Sequence, residues 1–507
     1  MSLDAVSLAP VREAPVETPG LTEAIEWLVD NEGAYDAVIR AIQGARTSVW
    51  ISQLAFDADC EAYSAGSPPT NLLDVLIQAT RAHDLDVRIL LNASILVNTV
   101  TPLRAALQQR AAPPIEVRGI SRFPNLLHAK MLIVDGREAF LLGSPFVNGY
   151  WDDSSHRSVD ARRPMRELGG RPLHDLSVRV QGSAVDALKG IFVEWWTDAA
   201  DEAPREAASD VAGGASSAVE YVGATVTRTA PANVLPRHTG GHMEILDSML
   251  EGIGGARELL YVEHQYLSCR PVIRAIREAL DREPGLEVIA LVNQNPDITA
   301  YRGWQNARLA ESGLRDHPRF GLFALWSQEQ RGRQLLLNQV FVHSKVLIAD
   351  DAWATVGSAN IDGVSLHSYG DDFESRLGRR VFVGVRNFDV NLELRAVDDV
   401  TTEAIVNLRR DLWREHLGGA PVAPPAESPL GAWRNHAAAN IAALNAWAPI
   451  PGVSLPSTLV LPYSAAAEPA AQLVALGIRE RKSLDLRFRP GWLEVHCSPN
   501  WIRNMFA

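Results

Sequence analysis

Apolar positions along the chain follow two alternating periods. Runs such as NLLDVLIQATRAH (71–83) and VIRAIREALDR (272–282) place Leu, Val and Ile three and four residues apart, the spacing of an amphipathic helix. Each runs on to a short, nearly continuous apolar stretch, VRILLN (87–92) and LEVIALVN (286–293), which reads as a strand buried on both faces. Helices of this length alternating with such strands predict α/β layers around a central sheet.

The pattern also repeats. Four elements recur in the same order: AIQGARTSVWISQ (41–53) with GIGGARELLYVEHQ (252–265); the helix–strand units above; LLHAKMLIVD (126–135) with FVHSKVLIAD (341–350); and GSPFVN (143–148) with GSAN (357–360). The chain therefore divides into a flexible N-terminus (1–20), a first half (21–200), a linker rich in Ala, Gly, Ser and acids (201–217), a second half (218–418) and a C-terminal extension (419–507). The extension matches neither half. Its helical stretch AWRNHAAANIAALNAW (432–447) and strand-like STLVLPY (457–463), LDLRF (484–488) and WLEVHC (492–497) are expected to pack on the second half.

Composition narrows the picture. Of 507 residues, 47% are hydrophobic and 21% charged, which excludes a disordered chain and allows a large core without staples. With 48 Lys and Arg against 61 Asp and Glu the net charge is −13. That disfavours nucleic acid as a partner but leaves room for a locally basic pocket. Cys60, Cys269 and Cys497 form no CxxC and read as buried small hydrophobes. No Sec-type signal peptide and no apolar run of about 18 residues is seen, so a cytoplasmic chain is expected, with peripheral membrane contact left open.

The third repeated element carries the chemistry. His128 and Lys130, and likewise His343 and Lys345, are two residues apart on a strand pattern and share one face. A lysine supplies a charge-assisted hydrogen bond to phosphate, and the imidazole beside it can attack phosphorus or carry a proton. Asp135 and Asp350 follow the lysines at an odd offset of five. Parity turns them away from that face, toward shaping the next turn.

H-x-K-x4-D followed by Gly-Ser and Asn, present twice, resembles the double signature of the phospholipase D superfamily. His128, Lys130 and Asp135, and His343, Lys345 and Asp350, match it. Ser358 and Asn360 are in register. The first copy has one extra residue before Gly143, and Asn148 falls later after its Gly-Ser than Asn360 does. LRRDLWREHLGG (408–419), YVEHQYL (261–267), VTRTAP (226–231), HDLSVRVQG (174–182) and FVEWW (192–196) extend the resemblance to full-length phospholipases D over about residues 30–420.

The resemblance implies two fused phospholipase-D-like α/β/α halves acting as a pseudo-dimer with one pocket between them. One histidine would form a phosphohistidine and the other would serve as acid and base. Family precedent favours His128 as nucleophile, while the near-symmetric copies leave the choice open. Lys130, Lys345, Asn148, Asn360, Ser144 and Ser358 would hold the phosphate. Each histidine needs a carboxylate. Asp175 fits the family's His-Asp element in the first half. The repeat suggests Glu393 as its counterpart, at 50 residues after His343 against 47 for Asp175 after His128. Asp371, Asp372, Glu374 and Asp389 compete for that second role. No metal or cofactor is implied.

Other residues draw weaker expectations. Gln53 and Gln265 read as repeat-related residues near the pocket or in a structural role. His174 reads as a supporting or packing residue, and Asn92 and Asn293 as turn formers. Tyr150, Trp151, Trp304 and Trp326 read as rim or packing residues, and the basic segment 478–489 as a solvated strand pair or a head-group contact. The expected activity is hydrolysis or transphosphatidylation of glycerophospholipids to phosphatidic acid and a head-group alcohol. The alternatives are a nucleic acid or another phosphodiester as substrate, cardiolipin-synthase-like transfer, and a non-catalytic scaffold. No obligate protein partner is evident.

Overall fold

The computed structural model describes residues 24–487 apart from 65–66, 95–96, 123, 166–167, 200–222, 235–239, 369, 371–382, 420–427 and 449–454. The expected N-terminal tail and linker, the stretch 492–497, Cys497, Asp371, Asp372 and Glu374 lie outside the described residues.

Local sequence signals set the element ends. Asn71 caps helix Leu72–His83 by accepting from the Asp74 amide, and Asp84, at φ +52°, closes it in the left-handed conformation. Asp398 and Thr401 form a reciprocal capping box on helix Asp399–His416. Apolar strands such as Asp86–Asn92 and Glu287–Val292 then bury almost every residue after the first.

The duplication is visible in sheet topology. In the first half the strand order is Ala24–Val29, Leu176–Gln181, Glu138–Leu141, Met131–Val134, Ser48–Gln53, Asp86–Asn92, Glu116–Ile120. The second half repeats it as Ala224–Ala230, Asn387–Arg395, Trp353–Gly357, Lys345–Ala349, Leu259–His264, Glu287–Val292, Phe320–Arg331. In each, the last three are mutually parallel and the others antiparallel. This is the duplicated α/β architecture the repeats predict.

The halves share a core rather than touching lightly. Met131, Ile133 and Trp195 of the first half pack in one apolar cluster with Val346, Ile348, Phe388 and Trp413 of the second. Helix Asp399–His416 lies on the first strand of the opposite half, where Trp27 Nε1 donates to the Ala404 carbonyl at 2.8 Å. Two short parallel pairings cross between halves: Leu126–Leu127 with Asn387–Phe388, and Leu173–His174 with Phe341–Val342. These crossings lie immediately before the two motif histidines and decide their partners.

The C-terminal extension joins the second sheet instead of forming a separate layer. Strand Thr458–Pro462 pairs antiparallel with Phe320–Arg331, and Leu484–Leu486 runs parallel to Gln334–Gln339. Helix Pro429–Ala446 packs over them, with Trp433 against Tyr261 and Phe323. Among the described residues no helix is long and apolar enough to cross a membrane.

Candidate active site

The strand expected through the motif is interrupted at its most important point. Regular pairing begins only at Met131 and Lys345. The amides of His128 and Ala129 both donate to the Phe388 carbonyl, at 3.0 and 2.7 Å. In the other copy the His343 amide donates to the His174 carbonyl at 2.7 Å. Histidine and lysine still sit side by side. Lys130 Nζ is 3.4 Å from His128 Nε2 and donates to the His128 carbonyl at 2.8 Å, and Lys345 Nζ donates to the His343 carbonyl.

The carboxylates come from across the interface. His128 Nδ1 lies 2.7 Å from Asp389 Oδ1, and His343 Nδ1 lies 2.9 Å from Asp175 Oδ2. Each histidine is therefore oriented by an aspartate of the opposite half. This corrects the expectation that Asp175 serves its own half. It also corrects Glu393, whose carboxylate meets Trp353 Nε1 and Arg395. Asp389, one of the competitors, holds the position instead. The signal was in the spacing: Ser144 to Asp175 and Ser358 to Asp389 are both 31 residues. A carboxylate on Nδ1 places the proton there and leaves the Nε2 lone pair for chemistry.

The serine hydroxyls are committed to these two aspartates. Ser144 Oγ donates to Asp175, and Ser358 Oγ donates to Asp389 Oδ1 at 2.7 Å, correcting both as phosphate ligands. The preceding glycines leave room for this. A Cβ at Gly143 would overlap the Asp175 carboxylate, and one at Gly357 would overlap Asn391 and the Val390 carbonyl.

The remaining expectations divide. Asn148 is a loop strut, accepting from the Glu61 amide at 2.8 Å and donating to the Asp59 carbonyl at 2.9 Å, so it is withdrawn as a phosphate ligand. Asn360 is buried and its Oδ1 has no partner among the described residues, as suits a side chain available to a ligand. Asp135 and Asp350 have left-handed φ of +52° and +55°. Their carboxylates collect the amides of Arg46, Thr47 and Ser48 and of Arg257, Glu258 and Leu259. They brace the far end of the motif strands, away from the His-Lys face, and take no part in the contacts of the reacting groups.

Register pairs Gln53 with His264, not Gln265: strands Ser48–Gln53 and Leu259–His264 occupy matching places in the two sheets. Both Gln53 and His264 are fully buried, and their side-chain polar atoms have no partner among the described residues. Asn92 and Asn293 are more than turn formers. Asn92 accepts from the Leu127 amide at 3.2 Å and Asn293 from the Val342 amide at 2.8 Å, bracing the segment just before each histidine. The Tyr150 ring lies 5.1 Å from that of His343, edge-on. Trp151 and Trp326 are core residues, and Trp304 packs edge-on against Tyr301. In the basic segment, Arg481 caps carbonyls of Leu444 and Asn445, and Arg487 pairs with Asp485.

Burial and like charge tune the site. Burial, then the Lys130 charge, lowers the His128 pKa against the pull of Asp389. Burial and Lys345 lower that of His343 to about 3. Burial and Lys345 bring Lys130 down to about 7, and burial brings Lys345 to about 8. Burial opposes ionisation of Asp175, but His343, Lys345 and Ser144 outweigh it and hold the carboxyl at about 2. Asp389 is likewise held low by His128, Ser358 and Lys130 against its burial. Two cations, two imidazoles and two fixed carboxylates thus meet at one inter-half site, poised for an anion.

Comparison with known proteins agrees. The family model described as "Cardiolipin synthase, PLD-like domain" matches residues 38–149 and 249–375, one stretch in each half. Phospholipase D A of Dictyostelium discoideum is 21% identical over 467 residues, covering 78% of this chain and 36% of that protein. Cardiolipin synthase of Clostridium perfringens is 24% identical over 260 residues, covering 49% of this chain and 45% of that protein. The chain thus spans less than half the length of these relatives. Among solved structures, phosphatidylserine synthase of Haemophilus influenzae Rd KW20 overlays with a TM-score of 0.52 at 14% identity, over 76% of this chain and 85% of that one, a likeness of fold. With both halves matched and the repeated His-Lys motif set between them, the chain belongs to the phospholipase D superfamily.

Proposed function

We propose that this chain cleaves phosphodiesters through a phosphohistidine, with a glycerophospholipid as substrate and phosphatidic acid and a head-group alcohol as products. The observation that carries the chemistry is the crossed pair of His-Asp contacts, each beside a buried lysine. His128 Nε2 gives its lone pair to phosphorus while the bond to the head-group oxygen breaks. That oxygen takes its proton from His343 Nε2. Water then attacks, passes a proton to His343 Nε2, and the phosphorus–nitrogen bond breaks with its electrons returning to His128. Lys130, Lys345 and Asn360 hold the non-bridging oxygens as charge builds.

His343 needs a proton it does not hold in the free site, where its pKa is near 3. An anionic diester offsets the lysine charges that depress it, so substrate and proton arrive together. An alcohol in place of water gives transfer, the second reading, which the cardiolipin synthase relative favours. The net charge of −13 weighs against a nucleic-acid substrate.

The test is head-group release from phosphatidylcholine, phosphatidylethanolamine and phosphatidylglycerol vesicles, beside hydrolysis of bis-p-nitrophenyl phosphate, with His128→Ala and His343→Ala as controls. Lipid turnover lost in both variants supports the reading. Histidine-dependent turnover of the small diester alone keeps the chemistry and rejects the lipid. No turnover of either overturns this reading and raises the scaffold alternative or the need for a missing partner.

A further inference from the structure

Directly behind His343 lies a second buried cluster that the chemistry above does not use. His174 precedes Asp175. Its Nδ1 is 3.1 Å from Asp30 Oδ1 and 3.0 Å from Glu415 Oε1, and its Nε2 is 2.8 Å from Glu263 Oε1. A neutral imidazole has one N–H, and carboxylates on both nitrogens call for two. His156 repeats the arrangement, with Nδ1 3.2 Å from Asp152 and Nε2 2.9 Å from Glu415. His416 Nε2 reaches the other oxygen of Glu263 at 2.9 Å, where the Tyr261 hydroxyl also donates at 2.6 Å. Arg163 pairs with Asp152. The carboxylates of Asp30, Asp152, Glu263 and Glu415 thus surround His174, His156 and Arg163, and burial beside Glu415 raises the Asp30 pKa against the pull of His156 and His174. Asp30 and His156 hold left-handed φ of +58° and +42°, strain that the surrounding contacts must support.

The cluster is tied to the reacting pair through the backbone. The His343 amide donates to the His174 carbonyl at 2.7 Å, and the Asp30 amide donates to the Asp175 carbonyl at 2.9 Å. Ser344 Oγ donates to Glu263. Glu415 and His416 come from the closing helix Asp399–His416, so the cluster joins that helix to both halves.

The other copy of the motif shows that the fold does not need these charges. There Phe388 stands where His174 does, Ser52 where Glu263 does and Ala129 where Ser344 does. The His128 amide makes the same kind of bond to the Phe388 carbonyl at 3.0 Å, and the backing is apolar, with Trp195 5.6 Å from Phe388.

We propose that His174 is a positioning residue, a permanent imidazolium at the hub of an ion cluster that fixes Asp175, and through it His343, for proton transfer. Its burial alone would favour the neutral ring, but the charges of Glu415, Glu263 and Asp30 hold its pKa well above the ordinary value. The catalytic part of this inference rests on the acid–base role given to His343. The charge state of His174 does not.

The test has two arms. In the intact protein, selectively 15N-labelled histidine spectra, assigned with His174→Gln, should show both His174 nitrogens protonated from about pH 5 to 9. A neutral tautomer in that range overturns the proposal, as does a stoichiometric metal ion bound to these residues in the purified protein. In the second arm His174→Gln should lower kcat for bis-p-nitrophenyl phosphate by about 100-fold with KM within about twofold, the cost of a small misplacement. Adding Glu415→Gln, which removes the unbalanced carboxylate, should restore much of the lost Tm but not kcat. Recovery of kcat together with Tm would make the cluster merely structural and overturn the positioning role. If the small diester is not turned over even by the unaltered protein, the proposed function fails while the spectra still decide the charge state.

Discussion

The two motif copies match closely in their first contacts and diverge behind them. Each histidine gives Nδ1 to an aspartate of the other half, each aspartate takes a serine hydroxyl from a Gly-Ser turn, and each lysine binds its own histidine carbonyl. Beyond that layer, Asp175 also accepts the Leu176 amide at 2.9 Å and adjoins an ion cluster, whereas Asp389 Oδ2 has no partner among the described residues and Phe388 backs it. Duplication keeps the reacting groups equivalent. The support around them has been free to differ, and that is where two chemically identical histidines can take unequal roles.

The largest expected effect tests the crossing itself. Asp389→Asn and Asp175→Asn should each lower kcat on the order of 1,000- to 10,000-fold, because the amide favours the wrong tautomer, while Glu393→Gln stays within about twofold. Steady-state kinetics on the small diester would read this. A loss at Glu393 equal to that at Asp389 would break the comparison.

Next comes pH. Both lysines bind the anion in their charged form, and burial lowers both pKa values. That form is present below the lowered pKa and is lost as pH rises through about 7 for Lys130 and about 8 for Lys345. kcat/KM should therefore fall across this window, and phosphate binding near neutral pH should take up protons. Calorimetry in buffers of different ionisation enthalpy measures that uptake, and proton release would contradict it.

A smaller effect sharpens the asymmetry. Ser358→Ala should cost about tenfold in kcat and Ser144→Ala about threefold, because Asp389 has fewer other donors than Asp175. Equal losses would argue that the outer support is irrelevant. Smallest for activity are Asp135→Ala and Asp350→Ala. Each should lose about 1 kcal/mol of stability by freeing capped amides, seen as a lower Tm with kcat unchanged.

Much of this was legible in the chain. Hydrophobic periods gave alternating helices and strands, and the repeat gave the halves and all four His and Lys residues. The carboxylate partners were harder to read because sequence nearness suggests partners within one half. The short pairings Leu126–Leu127 with Asn387–Phe388 and Leu173–His174 with Phe341–Val342 send each aspartate across instead. Counting from the histidine already puts Asp389 nearer than Glu393, at 46 and 50 residues after His343 against 47 for Asp175 after His128, and counting from the Gly-Ser turn gives 31 in both copies, since serine and aspartate touch directly. Asn148 was misread because the added residue in the first copy lets its amide tie down the loop at Asp59 and Glu61. The ion cluster was not legible, because its members come from five separated stretches around Asp30, His156, His174, Glu263 and Glu415 that only the fold unites.

The most direct measurement is an acid-sparing quench of the enzyme during turnover of a labelled diester, followed by mass spectrometry to locate any phosphoryl adduct. An adduct on His128 is expected, lost in His128→Ala and formed but slowly resolved in His343→Ala when the leaving group needs no proton. An adduct on neither motif histidine, or turnover that survives the loss of both, would contradict it.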